Sequence, residues 1–100
     1  MSIEKQFTKD MIEIYHRADK ECGYRATRFL QVVGEKGGVA AAKSLISKSG
    51  GTDGFAKLWE LRRLDLSVEA LVLREEYSEL FTQQEKDLCK SRLKDYGYNI

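Results

Sequence analysis

The strongest constraint on the fold is a run of apolar residues near the start of the chain. Ile3, Phe7, Met11, Ile14, Ala18 and Cys22 are spaced by four, four, three, four and four positions. That is the period of one face of an α-helix, and Tyr15 widens the face. The pattern predicts a helix from Ser2 to Cys22, stopped at Gly23 because glycine accepts the left-handed backbone that ends helices. Later segments read the same way. Tyr24 to Glu35 places Ala26, Phe29, Leu30 and Val33 on one side. Gly38 or Val39 to Ser47 is a short helix of small residues with a stripe of Val39, Ala42, Leu45 and Ile46, able to approach a neighbour closely. Phe55 to Leu61 presents Phe55, Leu58 and Trp59, with Phe55 and Trp59 read as core anchors.

After a turn at Leu64–Ser67, Ser67 is placed to cap a helix from Val68 to Leu73, with Glu69 in the first turn, where an acid suits the helix dipole. Glu75 to Leu80 reads as an irregular or single-turn piece. Thr82-Gln83-Gln84-Glu85 is a capping box, the best-marked helix start in the chain. The helix it opens runs to Tyr96 with Leu88, Cys89, Leu93 and Tyr96 inward, and ends at Gly97. Ser47 to Gly54 is the one clear loop. No segment alternates strictly enough to need a sheet, and a lone strand at Leu71–Leu73 would have no partner. The expectation is an all-α, compact single-domain bundle of five or six short helices over residues 1–100.

Size and composition then limit function. One hundred residues bury one core and leave few apolar side chains for a deep cavity. No apolar run nears the roughly 18 residues of a membrane span. The charged N-terminus lacks a signal-peptide core, so a cytoplasmic, reducing setting is expected, with Cys22 and Cys89 as buried free thiols. A single histidine, His16, sits off the apolar stripe, so a histidine-based triad or zinc site cannot be assembled in one chain. The glycine clusters at 34–38 and 50–54 match neither a Walker loop nor GxGxxG. The carboxylates Glu75, Glu76 and Glu79 lack the pattern of a calcium loop. No enzymatic activity, metal or cofactor is implied.

The formal net charge of +1 conceals two opposed windows. Arg25 to Lys48 holds five bases (Arg25, Arg28, Lys36, Lys43, Lys48) against Glu35, a net +4. Asp65 to Glu85 holds six acids against Arg74, a net −5, with Glu69, Glu75, Glu76 and Glu79 as the candidate acidic patch. The windows either pair internally, steer partners, or meet in an oligomer. Arg25, Arg28, Arg62 and Arg63 form a candidate basic patch, with Tyr24 able to stack a base. The helix–Gly-Gly–helix at 37–38 has the outline of a helix-turn-helix. Its second helix carries only Lys43 and Ser44 as polar residues, which cannot read bases. Tyr96, Tyr98 and Ile100 at the end of the chain dock either on the body or on another chain.

The segments Ile14-Tyr15, Tyr24-Arg25-Ala26-Thr27-Arg28-Phe29, Gly37-Gly38, Asp53-Gly54-Phe55, Leu58-Trp59, Leu64–Glu69, Leu80-Phe81-Thr82 and Tyr96-Gly97-Tyr98 resemble a family of small bacterial all-helical hypothetical proteins. That resemblance implies a free-standing cytoplasmic helical unit and brings no catalytic residues. The expected function is a non-enzymatic protein–protein interaction module, binding another protein or itself. The alternative is a nucleic-acid-associated protein gripping phosphates through the four arginines.

Overall fold

The periodic stripe of the first segment forms helix α1, Ile3–Cys22. Ser2 caps it by accepting the Lys5 amide, and Phe7, Met11, Ile14 and Ala18 are buried as the spacing requires. The computed structural model describes residues 2–47 and 53–98. The remaining α-helices are α2 (Thr27–Lys36), α3 (Gly38–Ile46), α4 (Asp53–Glu60), α5 (Val68–Val72) and α6 (Gln83–Asp95). Leu64–Leu66 and Glu75–Leu80 are 3₁₀ segments, and the described residues contain no strand. The chain folds all-α, as a compact bundle. Its radius of gyration is 12.3 Å, close to the ~13 Å of a folded 100-residue chain.

Helix α1 is the axis on which two clusters pack. Phe7, Met11 and Ile14 share the larger one with Ala41, Ala42, Ile46, Val72, Tyr77, Phe81 and Cys89. Phe7 meets the Tyr77 and Phe81 rings edge-on at 4.9 and 5.3 Å. The Tyr77 hydroxyl donates to Asp10 on the same helix, which anchors the 3₁₀ segment across α1. The second cluster surrounds Ala18 with Phe55, Leu58, Leu64, Leu66 and Leu93.

Helix α3 approaches α1 as its small residues allow. The Gly38 amide donates to Thr8 Oγ1 at 3.0 Å. A Cβ built on Gly38 would lie 2.6 Å from the Thr8 Cα, so only glycine fits. This approach turns α3 inward: Gly38, Ala41, Ala42 and Ile46 are its buried residues. Val39 and Leu45 are half-buried instead. The helix-turn-helix outline therefore has its second helix packed into the core.

Several boundaries differ from the periodicity. Helix α2 begins at Thr27, not Tyr24. Gly23 turns left-handed at φ 68°, and the Tyr24 amide bonds back to the Ala18 carbonyl at 3.1 Å. Residues 24–26 are consumed in reversing the chain, and of the expected α2 stripe only Val33 is fully buried. Helix α6 keeps its capping box, Thr82 and Glu85 exchanging bonds at 3.1 and 2.8 Å. It buries Cys89 and Leu93 but leaves Leu88 exposed. Cys22 is half-buried rather than buried, and both thiols are free. The expected loop at Ser47–Gly54 falls mostly outside the described residues, as do Lys48 and Ile100.

Candidate functional site

The four arginines of the candidate basic patch have different surroundings. Arg63 is held in a clamp. Its Nη2 lies 2.8 Å from Glu21 Oε1 and its Nε 3.0 Å from Asp65 Oδ1. Arg17 grips the other oxygen of Glu21 at 2.9 Å. Hydrogen bonds from Arg17 and then Arg63 hold the Glu21 carboxyl down at about 2. Arg25 lies 3.7 Å from Asp19. Three guanidiniums thus face three carboxylates at the C-terminal end of α1, and their fields largely cancel. Among the described residues Arg28 and Arg62 form no ion pair. They border different concavities.

The candidate acidic patch also divides. Glu75, Glu76 and Glu79 are exposed on the second 3₁₀ segment. Glu69 is not on the surface. It is 3% exposed, and its Oε2 accepts from Arg92 Nη1 at 2.8 Å. Burial pushes the Glu69 carboxyl up, against the opposing pull of Arg92. The Ser67 cap does form, accepting the Ala70 amide at 3.1 Å, so the helix starts as read. A partner 23 residues away decides where the acid goes. The two charged windows meet at Lys43, which reaches Glu85 at 2.8 Å and lies over the Phe81 ring. His16 is exposed, its ring beside Tyr15. Among the described residues no cluster of three His, Cys, Asp or Glu could hold a metal, and no helix is long and apolar enough to cross a membrane.

Two surface features were not legible in the pattern. The first is an aromatic face. Trp59, read as a core anchor, is 48% exposed. Phe55 and Leu58 take the inward side of the short α4, and Trp59 lies on its outer edge. Its ring rests edge-on against Tyr96 at 5.4 Å, and Tyr96 rests on buried Phe55 at 4.9 Å. Trp59, Glu60, Arg62, Leu64, Tyr96, Gly97 and Tyr98 line one open concavity.

Two helix ends meet there, each closed by the same pair of backbone bonds. At the end of α4 the Arg62 and Arg63 amides donate to the Trp59 and Leu58 carbonyls at 3.0 and 2.8 Å. At the end of α6 the Gly97 and Tyr98 amides donate to Lys94 and Leu93, both at 2.9 Å. This closure needs a left-handed residue, usually glycine. Gly97 supplies it at φ 81°, but at the end of α4 the residue is Arg62, at φ 60°.

The second feature is a cavity of about 550 Å³ between α1, the 24–29 segment, α4 and the start of α5. Its wall mixes apolar side chains, among them Ile14, Ala18, Phe29, Phe55, Leu58 and Leu66, with polar ones, and Arg25 and Arg28 also line it. Size alone argued against such a space. Its wall includes the half-buried Phe29 from the first turn of α2 and the 24–26 segment that precedes that helix.

Comparison with known proteins adds no relative to this geometry, and the resemblance read from the sequence rests on its residues alone. No protein-family model, no curated protein and no solved structure matches the chain.

Proposed function

We propose that the protein is a non-enzymatic interaction module of a reducing, cytoplasmic compartment, and that its partner is a second copy of the chain docked on the aromatic face. The exposed Trp59, propped on Tyr96 beside Arg62, carries the reading. Trp, Tyr and Arg are the side chains that dominate binding at protein interfaces. A half-exposed Trp held by ring contacts is already ordered, so docking on it costs little further entropy. Arg62 supports the same view. A non-glycine residue in left-handed backbone costs about 1 kcal/mol, and such strain concentrates at functional sites. The face also carries both signs of charge, in Glu60 and Arg62. In a two-fold interface the same patch meets itself, so Glu60 of one copy can face Arg62 of the other.

Light scattering and sedimentation across a concentration series test this. Self-association is expected, together with a blue shift of Trp59 fluorescence as the indole leaves water. Arg62→Gly is the diagnostic variant. It should raise stability, because the backbone strain is relieved, and weaken association. A strict monomer up to ~1 mM, a concentration matching only about 4 kcal/mol of association free energy, would overturn the reading. So would low-salt binding of duplex or single-stranded nucleic acid that is lost on replacing Arg28 and Arg62, since that would favour the phosphate-gripping alternative.

A further inference from the structure

The residues lining the cavity at the first turn of α2 differ from those lining the aromatic face, and the two features meet only where Phe55 of the cavity wall touches Tyr96. Its volume of about 550 Å³ lies within the ordinary range of small-molecule sites. At the ~30 Å³ that a water-sized group occupies in a liquid, it holds about 18 non-hydrogen atoms. Ile14, Ala18, Phe29, Leu58 and Leu66 form the apolar part of its wall, and Tyr15, Tyr24, Thr27 and Ser67 add polar groups beside them. Water along the apolar part of that wall is poorly held and readily displaced by an apolar chain.

Charge at the cavity is of one exposed sign. Arg28 lines it, is exposed, and forms no ion pair among the described residues. Arg25 also lines it, with Asp19 at the edge of ion-pair distance, 3.7 Å away. The carboxylate in the lining, Glu69, is buried and bonded to Arg92, so it does not oppose an anion at the exposed arginines. Apolar side chains and exposed guanidinium lining one cavity complement an amphiphilic anion. We infer that this cavity binds a free amphiphilic monocarboxylate, an unbranched chain of about ten carbons that fills about two thirds of that space, lying along the apolar wall with its carboxylate taken by Arg28, and Arg25 second.

Titration calorimetry with hexanoate, octanoate and decanoate, each below its micelle concentration, tests the inference. Binding of one molecule per chain is expected. Affinity should rise about three- to fourfold per added methylene, the increment for burying a CH₂. Decanol and decyltrimethylammonium separate chain from charge, and both should bind more weakly than decanoate. Arg28→Gln, an exposed substitution that leaves the core untouched, should weaken decanoate about tenfold and leave decanol unchanged. Arg25→Gln should weaken decanoate less, because Asp19 already shares that charge. Amide shifts should centre on Tyr24, Phe29 and Leu58 and spare Trp59, which keeps this result separate from self-association. No decanoate binding, equal binding of the cationic chain, or an Arg28→Gln variant with unaltered decanoate affinity would overturn the inference.

Discussion

Removing the Arg92 side chain is the perturbation whose cost follows most directly from the geometry. Arg92 Nη1 and Glu69 Oε2 are 2.8 Å apart, with both side chains nearly excluded from solvent. At an effective dielectric of 20 the attraction between unit charges at that distance is about 6 kcal/mol. Desolvating the two ions costs several kcal/mol each, so the pair contributes little net stability when intact. Arg92→Met removes the attraction and leaves the carboxylate buried, a loss of about 3–5 kcal/mol. That is a large share of the ~5–15 kcal/mol that holds a domain folded. Glu69→Leu combined with Arg92→Met removes both ions and should recover most of the loss.

The pH dependence gives an independent check on the same pair. Burial raises the folded Glu69 carboxyl above its ordinary 4.5. The folded state therefore keeps a proton that the unfolded chain has released, and stability falls as pH rises through the folded value. Without Arg92 the carboxyl rises further. The deficit of Arg92→Met should then be smaller at pH 5 than at pH 8. Urea denaturation followed by far-ultraviolet circular dichroism measures all four corners of the cycle. A deficit under ~1 kcal/mol at pH 8, a deficit independent of pH, or a double variant as unstable as the summed singles would refute the account.

Two further outcomes follow from packing. Gly38→Ala should lower stability by about 1–3 kcal/mol, because its Cβ meets the Thr8 backbone. Gly34→Ala, with open space around it inside α2, should raise stability by about 0.5–1 kcal/mol; thermal melts resolve the opposite signs. The thiols should also separate. Burial, with Glu69 nearby, pushes Cys89 up to about 12, whereas Cys22 is half-buried beside Arg63. Iodoacetamide should label Cys22 in the native protein and Cys89 only in denaturant, read by intact mass.

The elements that the sequence made legible are those fixed by nearby residues. The α1 stripe works because α1 runs 20 residues with core on one side, enough turns for the period to show. The Thr82–Glu85 box and the Ser67 cap work because both are satisfied within three residues. What was misread depends on one local reversal and on residues far along the chain. Tyr24, Arg25 and Ala26 have nothing against a helix in their composition; they are taken by a reversal that returns Tyr24 to Ala18. In the eight-residue α4 the pattern cannot tell Phe55 from Trp59, because the ring separating inside from outside is Tyr96. Glu69 fits a solvated first turn equally well until α6 brings Arg92 to it.

The same locality explains why the charge windows gave a poor map of the surface. A window sums charges along the chain, but ion pairs form across it. Lys43 of the positive window is matched by Glu85 of the negative one. Asp65 is taken by Arg63 and Glu69 by Arg92, both outside the windows that counted them. Once these are paired, the exposed charge without an ion pair among the described residues includes Arg28 at the cavity, Arg62 at the aromatic face, and Glu75, Glu76 and Glu79 on the 3₁₀ segment. Surface charges attract ligands in proportion to what their neighbours leave unscreened. Arg28 and Arg62 are therefore expected to matter more to the proposed binding than Arg63, although Arg63 makes the most ion-pair contacts of the four. Replacing Arg63 should loosen the α1–α4 end of the bundle, while replacing Arg28 or Arg62 should leave the fold intact and change what binds.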